Sequence, residues 1–301
     1  DRRRVARRRR GRAYPAVVRS SSLPISDVEI GRRAYRRTQN VRSVLVSLVS
    51  TLVFAVVIWL TVVNTPGWQS VQRNFFDLET AIAAWPRIIA GLWINIQVLV
   101  FASIGVLVLS VVIATIRTLR GPIWFPLRAL AAAYTDLFRG LPLIIVLFLV
   151  GFGIPGLELF PRNSAQFWGT IALILTYSAY VSEVFRAGIE AVHPSQRLAA
   201  RSLGLSHGQT MRIVVLPQAV RKVTPALMND FVAMQKDVGL ISVLGVVDAV
   251  RAAQIETAAN FNFTPYVLAG LLFVLLALPM IRLTDWYTAG LRASEQMGSV
   301  L

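Results

Sequence analysis

The chain contains no cysteine, which excludes disulfides, thiolate metal sites and cysteine nucleophiles. It has only two lysines, Lys222 and Lys236. Neither follows a glycine-rich loop, so the phosphate-cradling pattern G-x-x-x-x-G-K-[S/T] is missing. Histidine is equally scarce. His193 and His207 flank a short polar segment and are not spaced as a metal cluster, which makes them most simply solvated loop residues. No paired base and nucleophile stands out on facing helices, so neither a catalytic nor a metal-binding residue is assigned. Acidic residues are few, 15 against 31 Lys and Arg, and the formal charge is +16. Fourteen of those cations are arginines in the first 42 residues, offset only by Asp1, Asp27 and Glu29. A basic run ahead of an apolar span sets orientation or touches anionic lipid, a better fit here than nucleic acid.

What the chain has in abundance is apolar surface: 55% of its residues are hydrophobic and the mean hydropathy is +0.60, the composition of a membrane protein. Hydropathy predicts six spans, at residues 44–63, 88–116, 124–150, 167–185, 218–240 and 266–283, of which the fifth is the least apolar. The first is long and lacks a small-residue cleavage site, as expected of an anchor and not of a cleaved signal. The third would make ~40 Å of helix, more than a bilayer core requires. It must break or tilt, and Arg139-Gly140-Leu141-Pro142 is the obvious place. The organisation expected is a basic cytoplasmic tail (1–43), an extra span (44–63), an extracytoplasmic loop (64–87), a core (88–286) with a cytoplasmic loop at 194–217, and a second cytoplasmic tail (287–301). With the N-terminus inside, 25 of the 31 cations fall on the cytoplasmic side, and both termini lie there.

The most informative segment is residues 197–217, RLAARSLGLSHGQTMRIVVLP, polar and helical between long apolar runs. Ser195 is placed to cap a helix over residues 197–203, and Gly204 to stop it in a left-handed conformation. Ser206 and Gln209 spell a capping box for a second helix that Pro217 closes. A helix-glycine-helix knob results, with Ala199 and Ala200 on its near face; a cytoplasmic amphipathic loop is the plainer reading of the same residues. The segment resembles the coupling loop of ATP-binding-cassette importer permeases, whose pattern is Glu-Ala-Ala, three residues, Gly, nine residues, Ile-x-Leu-Pro. Here those positions hold Leu198, Ala199, Ala200, Gly204, Val214, Leu216 and Pro217. Leu198 replaces the glutamate and forgoes its hydrogen bond to the cap, an effect of roughly 0.5–1 kcal/mol. Val214 replaces the isoleucine. The flanks AYVSEVFRAGIEAVHPSQ (179–196) and LPQAVRKVTPALMNDFVAMQKDVGLISVLG (216–245), with TDLFRGLPLIIVLF (135–148), resemble the polar amino acid uptake family. The resemblance runs from about residue 91 to 286.

Polar residues inside spans are the other functional signal, because leaving them in lipid is expensive. Asn95 and Gln97 fall in the second span, and Tyr177, Ser178, Tyr180 and Glu183 in the fourth. Asn229, Asp230 and Gln235 fall in the fifth, with Lys236 and Asp237 near its outer end. Gln97, Tyr177, Tyr180, Asn229 and Asp230 are candidates for a substrate path. Asp230 suits an ammonium or amide and suits an interhelix hydrogen bond equally well. Glu183 and Arg186, three residues apart, read as a structural pair. Lys236 and Asp237 match a Lys-Asp pair of the resembled family, although Val238 and Gly239 replace its usual hydroxyl residues. With Arg139, Gly140 and Pro142 they are read as gate or packing elements.

The resemblance implies an all-α integral membrane protein of six transmembrane helices, a five-helix type I ABC importer core plus one extra N-terminal helix. It implies a permease subunit for polar amino acids in a bacterial plasma (inner) membrane, in contact with lipid and not nucleic acid. Two ATPase subunits, a second permease, identical or paralogous, and an external solute-binding protein would be its partners. ATP and Mg would be held by the ATPase, and this chain would carry no cofactor. Three alternatives remain: a permease for another small polar solute; an ion-coupled secondary transporter, which should show repeated halves with broken helices; and a non-transporting membrane scaffold.

Overall fold

A computed structural model describes residues 27–119, 121–159 and 163–298. Much of the basic tail, residues 1–26, lies outside the described residues, as does the end of the second tail, 299–301. Among the described residues every regular element is helical. The chain divides into two units, the first ending at Trp68.

The first unit is built on α1 (Asp27–Val63), 37 residues long. Its stretch Arg42–Val63 is apolar enough to cross a membrane. The helix stops where Asn64 and Thr65 turn their side chains back onto the carbonyls of Leu60 (2.6 Å) and Val62 (2.7 Å). Pro66 and Gly67 follow.

The second unit begins inside α2 (Trp68–Phe75), at Gln69, and continues with α3 (Leu78–Thr118). Residues 64–87, expected as a loop, are therefore largely helical. Asp77 caps α3, accepting from the Glu79 amide at 3.2 Å and the Thr80 hydroxyl at 2.5 Å, and Pro86 is carried inside the helix. A polar first turn and a proline hid ten residues of helix from a hydropathy reading. After a 3₁₀ turn (Pro122–Trp124) come α4 (Phe125–Gly140), α5 (Leu143–Phe148), a π-helical turn (Leu149–Gly153) and α6 (Ile154–Gly156). The chain bends by 110° between Gly140 and Leu143, where Leu141-Pro142 interrupts the ladder as expected.

Next is α7 (Ala165–Glu190), then α8 (Pro194–Ser202), α9 (His207–Gln209), a π-helical stretch (Thr210–Val215) and α10 (Leu216–Asp237). A 3₁₀ segment (Val238–Leu244), α11 (Ala249–Asn260) and α12 (Thr264–Gly298) complete the chain. Among the described residues three stretches are long and apolar enough to cross a membrane, or up to five if each of two bent pairs is one span. The expected fifth span, 218–240, falls in α10 and the start of the 3₁₀ segment, and α11 follows beyond a 53° bend. Helix α7 falls outside that count because it is rich in Thr, Tyr and Ser. It buries Trp168, Ala172, Leu173, Thr176, Tyr177, Ser178 and Ser182 against α3, α4, α5 and α10. A helix surrounded by others needs less apolar surface than one facing lipid.

The main core joins Val98, Ala102 and Val106 of α3, Leu173, Tyr177 and Val181 of α7, Met234 of α10, and Val238 and Ile241 of the 3₁₀ segment that follows it. A second core packs Ala84, Ile88 and Leu92 of α3 against Ala249 and Ala253 of α11 and Ala269 and Leu272 of α12. Small residues let these backbones touch. At Gly91 an added Cβ would sit 2.4 Å from the carbonyl carbon of Asp248 and 2.5 Å from the amide nitrogen of Ala249. We therefore expect Gly91→Ala to push α11 away and destabilise the detergent-solubilised protein by about 1–3 kcal/mol. Gly270→Ala, which meets nothing within 4 Å, should not; thermal unfolding separates the two.

Candidate functional site

The knob at residues 194–217 assembles from its caps. His193, and not Ser195, is the N-cap of α8: its Nδ1 accepts from the Ser195 amide at 3.2 Å. Pro194 then occupies the first turn, where a missing N–H is harmless. Gly204 has φ +83°, and the Gly204 and Leu205 amides donate to the carbonyls of Arg201 (3.0 Å) and Ala200 (3.2 Å). The helix end is thereby satisfied, as expected. The capping box is present in both directions, from the Ser206 amide to Gln209 Oε1 (2.9 Å) and from the Gln209 amide to Ser206 Oγ (3.3 Å). Pro217 does not close the second helix. The chain runs from α9 through the π-helical stretch into α10, and Pro217 sits in the first turn of α10. The widened turn ahead of it makes room for the ring.

Ala199 and Ala200 do not share a face: Ala199 is exposed and Ala200 is buried, as adjacent residues about 100° apart on a helix must be. The exposed apolar surface is instead Leu198 (67%), Leu203 (84%) and Ile213 (60%). Leu216 and Pro217 are exposed and Val214 is half-buried. Beneath this surface Val192, Val215 and Ala219 form a small core. The Arg197 guanidinium donates to the Ile189 carbonyl, and Lys222 Nζ donates to the Ala191 carbonyl at 2.7 Å. The knob is thus tied to the ends of α7 and α10. His193 and His207 are exposed.

Inside the bundle only part of the expected polar patch converges. Tyr177 and Asp230 line one cavity of about 100 Å³ with Ser103, Leu107 and Met234. The Tyr177 hydroxyl donates to Asp237 Oδ2 at 2.7 Å, and Asp230 keeps one buried carboxylate oxygen without a hydrogen-bond partner. Asn229 is exposed, and Gln97 faces Gln166 at 3.5 Å, so neither joins that cavity. Tyr180 turns to the break after α4: its hydroxyl donates to the Arg139 carbonyl at 3.2 Å, and the Arg139 guanidinium lies 5.9 Å from its ring centre. Lys236 is exposed and Asp237 half-buried, so the two point apart. Gly140 has open space around it, and Pro142 precedes α5.

Glu183 does pair with Arg186, at 2.8 Å. It also bonds Arg117 of α3 and lies 3.9 Å from Arg139 of α4. Spacing along one helix could reveal only the first of these.

The polar centre that the sequence reading missed is Asp248. It caps α11 through the Arg251 amide (2.9 Å) and is fully buried. Asn95 meets it from α3, donating to Asp248 Oδ2 (2.9 Å) and the Val238 carbonyl (3.2 Å) and accepting from the Ala249 amide (3.1 Å). One side chain therefore bridges both sides of the bend. Asp248 ahead of an Ala-rich run is an N-cap signal, but α11 lacks the apolarity that flags a span.

The chain as a whole is similar to known proteins. Residues 121–293 match the family described as Binding-protein-dependent transport system inner membrane component. The chain is 37% identical over 206 residues to the arginine transport system permease protein ArtQ of Bacillus subtilis, a match covering 67% of this chain and 91% of that protein. It is 34% identical over 207 residues to the glutamate transport system permease protein GluC of Corynebacterium glutamicum, covering 65% and 90%. A solved structure described as an amino acid ABC transporter with histidines superposes with a TM-score of 0.65 at 32% identity, over 70% of this chain and 97% of that one. The chain belongs to the binding-protein-dependent transport system inner membrane component family, and is a multi-pass membrane protein of that kind.

Replacing Asn95 by Leu keeps the volume but strands the Val238 carbonyl, the Ala249 amide and one oxygen of Asp248. The expected loss is about 3 kcal/mol or more. Limited proteolysis should show new cleavage between Val238 and Asp248 before the rest of the chain opens.

Proposed function

We propose that this chain is the transmembrane permease subunit of an ATP-driven importer of polar amino acids. The observation that carries the reading is the 37% identity to an arginine transport permease across nine-tenths of that protein. The relatives' shared amino acid assignment favours amino acids over other small polar solutes. The family match favours an ATP-driven importer over an ion-coupled transporter or a scaffold.

In this reading α1 is an extra span ahead of a five-span core, made of α3, the bent α4–α6, α7, the bent α10–α11, and α12. Charge asymmetry puts both termini and the knob in the cytoplasm of a bacterial cell. Leu198, Leu203 and Ile213 then offer apolar contact to an ATPase subunit below the membrane, which supplies the nucleotide and Mg chemistry. A second permease, identical or paralogous, and an external solute-binding protein complete the assembly. ATP-driven closure of the ATPases would draw the knobs together and shift the core between inward- and outward-facing states, through contacts that differ between the two. In this reading Tyr177 and Asp230 line the path, where a carboxylate oxygen without a partner suits the ammonium group of an amino acid.

The test is reconstitution of the permease with its ATPase and binding protein in vesicles, assayed with L-arginine, L-glutamate and L-glutamine. ATP-dependent uptake of at least one is expected. Uptake that follows an imposed ion gradient without ATP would reject the reading.

Gly204→Leu places a side chain in open space but at a left-handed position, costing about 1–2 kcal/mol locally. The subunit should insert normally while ATP-driven uptake falls by about tenfold or more. Normal uptake would remove the knob from the coupling role.

Asp230→Asn keeps the shape of the side chain and removes its charge. It should alter the apparent affinity or selectivity of uptake with assembly intact, and unchanged kinetics for all three amino acids would assign Asp230 to packing.

A further inference from the structure

Glu183 draws arginines from three helices. Arg186, on its own helix, holds it at 2.8 Å. Arg117, next to the last residue of α3, bonds it directly and also reaches the Thr135 hydroxyl of α4 at 3.4 Å. Arg139, at the end of α4, stands off at 3.9 Å. The three contacts differ in enclosure as well as length: the Glu183 and Arg117 side chains are 15% and 17% exposed, whereas Arg139 is 44% exposed. Breaking an enclosed pair strands a charge in apolar surroundings. A rim pair opens into water at little cost. Of the two interhelix links, the one to Arg139 is therefore free to open and close.

Its position gives that freedom a use. Arg139 immediately precedes the Gly140-Leu141-Pro142 break, where the chain turns by 110°. Two further contacts bind it to α7, both through Tyr180: the hydroxyl bond to its carbonyl at 3.2 Å and the stack of its guanidinium over the ring. Tyr180 and Glu183 lie at i, i+3 on one face of α7. Two turns further on, α7 ends at the knob, its last turn braced by Arg186 to Glu190 at 2.7 Å. Arg197 and Lys222 fasten the residues just before and just beyond that end, Ile189 and Ala191 respectively.

We propose that Glu183 and Tyr180 form a latch on Arg139 through which α7 transmits displacement of the knob to the break between α4 and α5. Arg139 is its positioning residue: it carries motion and contacts no substrate. The proposal rests on the importer reading, since it needs a partner that moves the knob.

The experiment measures uptake per ATP hydrolysed in the reconstituted complex, with L-arginine, L-glutamate and L-glutamine as probes, for wild type, Arg139→Gln, Arg139→Lys, Glu183→Gln and the Arg139→Gln/Glu183→Gln pair. Arg139→Gln should assemble with the ATPase and hydrolyse ATP, while uptake per ATP falls about tenfold, within the usual range of coupling between sites. Arg139→Lys, which keeps the charge, should recover most of that ratio. If both residues serve one link, the double variant should be no worse than the more severe single one. An unchanged ratio in Arg139→Gln, or failure of that variant to assemble, overturns the latch. Failure of the wild-type complex to transport rejects the importer reading instead.

Discussion

A polar side chain enclosed by apolar surface must find its partner within the protein, because lipid supplies none. This constraint organises the second unit of the chain. Helix α7 carries Tyr177, Ser178 and Glu183, and neighbouring helices meet all three, while Ser182 bonds back to the Ala179 carbonyl of α7 itself at 2.9 Å. Tyr134 of α4 bonds Ser178 at 2.8 Å and the Leu175 carbonyl at 2.7 Å, Asp237 meets Tyr177, and Arg117 meets Glu183. Apolar packing fills the space between these bonds and is itself non-directional. The bonds fix which face of α7 points to which neighbour.

The same logic explains the irregular segments. Between α10 and α11 the backbone leaves regular helix and frees amides and carbonyls that lipid cannot satisfy. Asn95 meets both sides of the bend, and Gly91, one turn earlier, lets the α11 backbone come close enough for it to do so. At the other end of α7 the knob is irregular for a different reason. Local caps and the Arg197 and Lys222 bonds satisfy backbone groups there, and apolar Leu198 and Leu203 face outward. An exposed apolar surface on a rigid support is a common mark of an interaction site.

Much of this was legible in the sequence where the signal is local. The Ser206–Gln209 capping box, the left-handed Gly204 and the break at Leu141-Pro142 each depend on residues a few positions apart, and each is found where the spacing put it. Long-range partnership was not legible. Spacing paired Glu183 with Arg186 but gave no hint of Arg117 or Arg139, which arrive from other helices. Polarity marked Asn95 yet left its partner Asp248 unseen, since α11 is too rich in Ala and Gln to register as a span. The expected patch of Gln97, Asn229, Asp230 and Tyr177 failed by half for a related reason: membership of a span does not fix the direction of a side chain, and only Tyr177 and Asp230 face one cavity. The expected cap at Ser195 was off by two residues because His193, an uncommon cap, accepts from the Ser195 amide.

The central claim is that the caps and the Arg197 and Lys222 bonds hold the knob as an apolar platform for a partner ATPase. Because the chain has no cysteine, Leu203→Cys provides a single thiol at a residue 84% exposed in the isolated subunit. Its rate of reaction with a membrane-impermeant maleimide, measured on inverted membrane vesicles with and without the bound ATPase, is the most direct test. The account predicts fast labelling of the permease alone and strong protection once the ATPase is bound. Equal labelling in the two states, or labelling only from the opposite side of the membrane, would contradict it.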